Sequence, residues 1–420
     1  MVDQMADTAI PCALERPRQA VILAGGQGTR LRPLSDIRPK AMIEIHGRPF
    51  LEEIVEMLKD QGFEEVLMLL GYLPNVVQDY FQNGSRWGLK ISYSVTPVEN
   101  NTGRRLKIAE PLLHDCFLLL YCDNYWPMQM GPMWKRFLEA GAPAMLTVYT
   151  NKDGWTKNSI RVDAEGFITA FDKSGSTPDL QGVEISYAIF RKSVLDLLPE
   201  NENVPLEETI YPVLAQRREL AAFVTDHRYY SVGSVNRLPM TEMFLARHPT
   251  VILDRDGVIN RKPPRACYVR TWSEFEWLPG AQEALAQLKQ AGYRVIVISN
   301  QAGIARGAMT EADLLEINRQ MVSEATRAGG GVDAIYYCPH HWDDGCECRK
   351  PKPGMLFQAQ RDFTLDLSRT WFIGDDERDA QAADAAGCPS LLVTEDRPLL
   401  ALVQSLLSKE SSHECRNEQK

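Results

Sequence analysis

Two short apolar runs, Ala20-Val-Ile-Leu-Ala24 and Thr250-Val-Ile-Leu253, each lead directly into a turn, the first rich in glycine and the second carrying paired aspartates. A run of this kind reads as a strand whose C-terminal end opens into a loop and then a helix. Behind each opening, short apolar stretches alternate with longer amphipathic ones. The first series has strands near 65–70, 89–95, 116–121 and 143–149, and the second near 293–299, 333–338, 370–373 and 389–393. That alternation predicts two Rossmann-like α/β units built on parallel sheets. The segment 158–190 breaks the rhythm with several short strands, so the first sheet is expected to be mixed. In the second unit, Pro279–Gly292 sets Ala281, Ala284, Leu285 and Leu288 on one helical face and stops at a glycine. Thr310-Glu-Ala-Asp313 has the spacing of a helix-capping pair.

The chain is long enough, at 420 residues, to bury two cores. The expected organisation is a tail over 1–18, a first unit over 19–248, a second over 249–406 and a polar tail over 407–420. Acidic side chains outnumber basic ones, 56 to 46, so no basic face is implied and nucleic acid is not an expected partner. No run approaches the roughly 20 apolar residues that span a bilayer. The N-terminal segment has no signal-like apolar core, and the expectation is a cytoplasmic protein without a membrane partner. Three of the nine cysteines fall within Cys338–Cys348, which argues for metal rather than disulfides.

The chemistry of the second unit starts at Asp254-Arg-Asp-Gly-Val-Ile-Asn260. Breaking a phosphate monoester through a covalent intermediate needs a nucleophile, a proton donor for the leaving oxygen and positive charge for the phosphoryl oxygens. Asp254, at a strand end, is the candidate nucleophile, and Asp256 the candidate acid and then base. Gly257 permits the turn that aims both at one ligand. Ser299 and Asn300 follow the strand Val295–Ile298 and can hold phosphate oxygens, while Lys350 can stabilise the nucleophile and the transferring group. Asp375, after another strand, would complete a magnesium site with Asp254 and the backbone of Asp256. Cys338, His340, Cys346 and Cys348 form a closed set of soft ligands suited to structural zinc, with His341 an adjacent alternative to His340.

These four motifs in order resemble the haloacid dehalogenase superfamily. With Ser299–Gly307, Cys338-Pro-His-His341 and Cys346-Glu-Cys-Arg-Lys-Pro-Lys-Pro-Gly-Met355, residues 250–400 resemble the D-glycero-D-manno-heptose-1,7-bisphosphate 7-phosphatases. The resemblance implies Arg349 and Lys350 in the substrate pocket and favours His340 as the zinc ligand. Histidinol-phosphate phosphatases share the zinc loop and stand as the second substrate class.

In the first unit, Gly25, Gly26 and Gly28 let the backbone approach a triphosphate, Thr29 completes the loop, and Arg30 and Lys40 neutralise charge. With Gly71-Tyr, Gly84–Gly88, Asn101-Thr-Gly103 and Asp123-Asn124, residues 19–240 resemble the sugar-1-phosphate nucleotidyltransferases. That resemblance implies a magnesium-binding Asp123 and a sugar-phosphate contact at Lys173. Two positions depart from the family pattern. Cys122 stands where glycine precedes the metal aspartate, and Ser231 stands where a second metal carboxylate belongs, with Asp226 a possible substitute acid.

Together the two halves predict an enzyme that removes the 7-phosphate of a heptose bisphosphate and attaches a nucleotide, with guanine the expected base, to the remaining 1-phosphate. Its partners would be heptose phosphates and a nucleoside triphosphate, and its metals magnesium and structural zinc. The competing expectation is a single-activity phosphatase whose first unit only binds nucleotide.

Overall fold

The computed structural model describes residues 15–264 and 266–417, so most of the expected N-terminal tail lies outside the described residues. The chain divides between Thr241 and Glu242 into two compact units. The first holds a seven-stranded sheet in the order Leu220–Thr225, Ala144–Tyr149, Val183–Arg191, Cys116–Tyr121, Gln19–Ala24, Glu65–Leu70, Lys90–Val95. Neighbours run parallel except around Val183–Arg191, which is antiparallel to both of its partners. The sheet is therefore mixed, as the broken rhythm of 158–190 implied. Gln19–Ala24 is buried along its whole length, which is why it reads as an unbroken apolar run. Leu106, Leu206 and Leu214 from helices cover the face formed by Val21, Leu23, Leu67, Leu69, Phe117 and Leu119.

The strand Leu220–Thr225 escaped the sequence reading. It opens on Leu-Ala-Ala, and alanine carries little strand signal; its place at the sheet edge leaves its second half partly exposed.

One side chain ties three strand ends of this sheet together. The Arg105 guanidinium is buried and donates to the carbonyls of Leu70 (2.8 Å), Pro97 (2.9 Å) and Val98 (3.0 Å), and more weakly to Gly25 (3.4 Å). A Cβ on Gly25 or on Gly71 would fall about 2.5 Å from Arg105 atoms, so both glycines make room for it.

The second unit is a five-stranded, wholly parallel sheet in the order Ala334–Cys338, Arg294–Asn300, Thr250–Leu253, Trp371–Gly374, Ser390–Leu392. Alternate residues of its central strands point to opposite faces and build two cores. Val251, Leu253, Val295 and Val297 pack with Ala284, Leu285 and Leu288 of the helix Ala281–Gln290. Ile252, Ile296, Ile298 and Phe372 pack with Leu356, Ala382 and Ala383 on the other side. The helix Glu311–Arg327 opens on the expected capping box, Thr310 and Asp313 each bonding the other's backbone. The last helix, Leu399–Asn417, runs beyond position 407, where the composition suggested a polar tail. Leu399, Leu402, Val403 and Leu406 form one buried stripe at helical spacing, and that stripe starts the helix which the polar residues continue.

Replacing Arg105 with methionine keeps the bulk and removes every donor from these buried carbonyls. The expected cost is about 2–4 kcal/mol, read as an earlier urea unfolding transition, whereas unchanged unfolding would mean that the carbonyls find other donors.

Candidate active sites

In the second unit, parallel strands deliver their C-terminal ends to one edge of the sheet, where open α/β folds bind ligands. Asp254 follows Thr250–Leu253, Asp375 follows Trp371–Gly374, and Ser299 and Asn300 end Arg294–Asn300. Carboxylate oxygens of Asp254, Asp375 and Asp379 lie within 4.8 Å of one another. The buried Lys350 ammonium sits 2.9 Å from Asp254 Oδ2 and 2.8 Å from Asp379 Oδ1, and donates to the Ile298 carbonyl at 3.3 Å. Asn300 fixes the Lys350 backbone from both sides: its Nδ2 donates to the Lys350 carbonyl (3.0 Å) and its Oδ1 accepts from the Lys350 N–H (3.1 Å). The Ser299 hydroxyl is buried and accepts from the Gln301 amide at 2.8 Å.

Asp379 was not among the candidates read from sequence. It stands at the third position of the helix Glu377–Ala386, where it completes a capping box with Asp376, and one oxygen accepts the Asp375 and Asp376 N–H groups at 3.1 Å. Its four-residue spacing from Asp375 was the available signal, but a helix cap accounts for an acid there equally well. The other oxygen goes to Lys350, so Asp379 positions its neighbours and has little capacity left for a metal.

Asp256 turns its carboxylate away from this cluster. The buried Arg255 grips it through Nη2 at 3.1 and 3.0 Å, Asn260 donates at 2.9 Å and Gln301 at 2.8 Å. Burial by itself would raise this carboxyl, but the charge of Arg255 and the amide donors outweigh it and hold Asp256 below its ordinary value. The Asp256 carboxylate is thereby committed to these three donors and is not grouped with Asp254, Asp375 and Asp379. Asp254 goes the other way: burial pushes it up to about 7, with Asp379 and Asp256 adding to that against the pull of Lys350.

The donor set fits a hard divalent cation. Asp375 Oδ1 is buried without a hydrogen-bond partner among the described residues. Asp254, which accepts from the neighbouring Arg255 N–H at 2.7 Å and pairs with Lys350, offers an oxygen within 4.8 Å of one from Asp375. One or two carboxylates completed by water and phosphate are what magnesium prefers. Gly257 is part of the cradle. Its φ is +99°, and a Cβ there would come within 2.1 Å of Asp375 Oδ2.

A cavity of about 940 Å³ opens beside these groups, lined by Lys262, Asn300, Arg349, Lys350, Lys352 and Arg378 among others. Arg349 Nη1 is buried without a hydrogen-bond partner among the described residues. The loop carrying Arg349 and Lys350 begins at a second cluster. Cys338 Sγ lies 3.6 Å from both His340 Nδ1 and Cys346 Sγ, and Cys348 Sγ lies 3.2 Å from His340 Nδ1 and 3.6 Å from Cys346 Sγ. Zinc–sulfur bonds of about 2.3 Å give a tetrahedron with edges near 3.7 Å, so the four atoms are spaced to hold zinc with no open position. His341 instead lies against Trp342, with ring centroids 4.0 Å apart and the planes tilted, and faces Asp343, so that His340 is the histidine grouped with the three cysteines.

The first unit has a sparser arrangement. Gly28 adopts φ +64°, and a Cβ there would lie 2.9 Å from Lys40 Cβ, so the loop closes over the lysine stem. Thr29 and Arg30 begin a short 3₁₀ turn behind Gly25 and Gly26. The Lys40 ammonium pairs with Asp123 Oδ2 at 2.7 Å, and both side chains are largely buried. Ser231 lies on the strand opposite Asn124, and its hydroxyl donates to the Asp123 carbonyl at 2.9 Å. Asp226 is bound to Thr150 and Lys152, so it does not stand in for the missing carboxylate. Lys173 pairs with Glu207 at 3.2 Å beside a second, partly buried acid, Glu184, whose carboxyl is pushed up to about 7 by desolvation. Glu184 and Glu207 carried no sequence signal, because a lone acid beside apolar residues resembles a surface position.

Comparison with known proteins matches residues 19–247 to a family model for nucleotidyl transferases and residues 347–404 to one for HAD-hydrolase-like proteins. The D-glycero-beta-D-manno-heptose-1,7-bisphosphate 7-phosphatase of Pseudomonas aeruginosa is 44% identical over 156 residues, covering 37% of this chain and 86% of the relative. The B. bronchiseptica D,D-heptose 1,7-bisphosphate phosphatase, solved with magnesium and phosphate, is 38% identical over 38% of this chain and 99% of its own, with a TM-score of 0.36. For the first half, HddC from Yersinia pseudotuberculosis complexed with GMP-PN is 22% identical over 53% of this chain and 97% of its own, with a TM-score of 0.43.

Two outcomes follow from the geometry. Gly257→Ala drives a methyl group into Asp375, and the expected result is magnesium affinity reduced at least about tenfold with the fold intact. This is checked by calorimetric titration and circular dichroism; unchanged affinity would remove Asp375 from the metal site. Gently purified protein is expected to carry one zinc per chain by elemental analysis. Cys348→Ser should lose that zinc and lower the melting temperature of the unit.

Proposed function

We propose a two-step function from the premise that this chain belongs to two families: the nucleotidyl transferases, through residues 19–247, and the D-glycero-beta-D-manno-heptose-1,7-bisphosphate 7-phosphatases, through the unit that carries Asp254. The second unit hydrolyses the 7-phosphate of a heptose 1,7-bisphosphate. The first then joins a nucleotidyl group to the heptose 1-phosphate that remains, with release of pyrophosphate. The observation that carries the reading is the buried Lys350 held between Asp254 and Asp379 at the edge of a cation-lined cavity.

In the hydrolytic half, an Asp254 carboxylate oxygen attacks phosphorus and the bond from phosphorus to the sugar oxygen breaks, leaving an aspartyl-phosphate. Asp256 gives a proton to the departing oxygen, then takes one from the water that cleaves the acyl phosphate. Its resting ionised form suits the second task. The first becomes possible when a phosphate dianion beside it favours the protonated form. Lys350, Arg349 and the Ser299–Asn300 end of the strand offset charge on the phosphoryl oxygens. Magnesium bound by Asp254, Asp375 and the Asp256 carbonyl would supply further positive charge there, and zinc on Cys338, His340, Cys346 and Cys348 would brace the loop bearing Arg349 and Lys350.

In the transferase half, Gly25, Gly26, Gly28 and Thr29 take the triphosphate, Arg30 and Lys40 neutralise it, and Lys173 meets the sugar phosphate. Asp123 contributes one carboxylate to magnesium, whose remaining positions fall to the triphosphate and water. Guanine is the proposed base, and an activated heptose for cell-surface polysaccharide the proposed product. A specific observation favours a second reading for this unit: Ser231 gives a hydroxyl, bonded to the Asp123 backbone, where the family carries a carboxylate. In that reading the unit binds nucleotide without transferring it, and histidinol phosphate joins the heptose bisphosphates as a candidate substrate of the phosphatase.

Pyrophosphate release from heptose 1-phosphate, magnesium and each nucleoside triphosphate separates the two readings, with release expected for at least one triphosphate and none refuting the transferase. A panel of both heptose bisphosphate anomers and histidinol phosphate tests the phosphatase. Asp254→Asn should lower its turnover at least about a thousandfold while the unit stays folded, because Asp379 keeps Lys350 paired. Retained turnover would remove Asp254 as the nucleophile.

A further inference from the structure

The phosphatase cavity contains a cation that the mechanism above leaves unused. Lys262 follows the Asp254–Asn260 turn, lines the cavity and precedes Pro263 and Pro264, which restrict the backbone beside it. Its ammonium lies 2.8 Å from Asp375 Oδ2 and 3.3 Å from Asp376 Oδ2, and its side chain is 44% exposed. The two contacts are not equivalent. Asp376 is already satisfied by Arg378, whose Nε and Nη2 reach its two oxygens at 2.8 and 2.9 Å. Among the described residues, Asp375 has only Lys262 as a side-chain donor, and its other oxygen has no partner. Lys262 thus offsets the charge of the one carboxylate that a divalent cation needs most.

Both cations compete for the same group. A divalent ion drawn to Asp254 and Asp375 weakens the hold of Asp375 on a half-exposed ammonium, because the carboxylate charge is then shared with a stronger partner. Lys262 remains over the cavity on a restricted loop. The cavity is lined by five cationic residues, Lys262, Arg349, Lys350, Lys352 and Arg378, against two carboxylates, Asp256 and Asp376. An incoming phosphate dianion is the natural new partner.

We propose that Lys262 is a phosphate ligand of this site, exchanged from Asp375 to the substrate when a divalent cation binds. The inference rests on the phosphatase reading of the unit and extends it by one substrate-binding residue. Before loading, Lys262 limits repulsion within the carboxylate cluster. After loading, it meets an anionic oxygen of the substrate or of the phosphate product.

The test uses full-length protein, Lys262→Met and Lys262→Arg, with manganese alone and with inorganic phosphate in saturating magnesium, both by calorimetry. Lys262→Met should bind phosphate about tenfold more weakly, the loss of one charge-assisted contact. It should also bind manganese several-fold more tightly without phosphate, since the internal competitor is gone. Lys262→Arg should keep phosphate affinity within about twofold, which a merely structural role would not predict. Unchanged phosphate affinity in Lys262→Met, or unchanged manganese affinity, overturns the exchange. Hydrolysis by the unaltered protein reports separately on function. If it binds phosphate with magnesium but hydrolyses no heptose bisphosphate, the substrate assignment fails and Lys262 is still judged by the two affinities.

Discussion

The second unit is organised around one buried ammonium. Lys350 is 3% exposed and lies between Asp254 and Asp379, which come from a strand end and from the first turn of a helix. An isolated charge buried this deeply would cost several kcal/mol, so the lysine needs a carboxylate beside it, and both acids gain from its charge. That mutual attraction fixes the separation of three chain segments far apart in sequence: residue 254, the loop at 350 and the helix at 379. Asn300 adds a fourth by holding the Lys350 backbone from the end of a neighbouring strand. A structural zinc bound at 338–348 would limit the remaining freedom of the loop, because Cys348 is only two residues from Lys350.

The charges of this cluster also say what it lacks. Three carboxylates, Asp254, Asp375 and Asp379, face two ammoniums, Lys350 and Lys262, and leave a net negative site. A site of that sign repels a phosphate dianion until a divalent cation reverses it. Burial, with the neighbouring charges of Asp379 and Asp256 adding to it, pushes Asp254 up to about 7. The segregation of Asp256 into its own pair with Arg255 is what lets two acids two positions apart shift in opposite directions, Asp254 up and Asp256 down.

How far the sequence carried depended on whether an element advertises itself locally. The strands expected from apolar runs, the two openings among them, were legible because parallel strands buried on both faces leave continuous apolar stretches, and the Thr310 cap because its two partners are three residues apart. The grouping of Cys338, His340, Cys346 and Cys348 was legible because four soft ligands crowd into eleven residues. Asp379, Lys262, Glu184 and Glu207 were not, because each earns its role from a partner distant in the chain. On sequence alone an acid at 379 is indistinguishable from a helix cap, Lys262 from any polar loop residue, and the two glutamates from surface positions. Ser231 shows the reverse limit: sequence located the substitution, but only structure reveals that its hydroxyl is occupied by the Asp123 backbone.

The two units therefore differ in how much of their chemistry the protein itself supplies. The hydrolytic site gathers paired acids, a buried lysine and further cations, so the protein itself supplies two carboxylates for a divalent cation and several positive groups for a phosphate. The site at Asp123 offers one carboxylate, and Lys40 already engages it at 2.7 Å. At about 4 Å and an effective dielectric near 20, each pair of unit charges is worth about 4 kcal/mol before desolvation is counted, so a missing second carboxylate is a large deficit for a metal held by protein alone. A nucleoside triphosphate can offset it, because its own oxygens bring more negative charge than the absent side chain would. Metal binding in the first unit would then depend on the nucleotide arriving with its cation, whereas the second unit can load its metal beforehand. That difference follows from one serine in place of one acid.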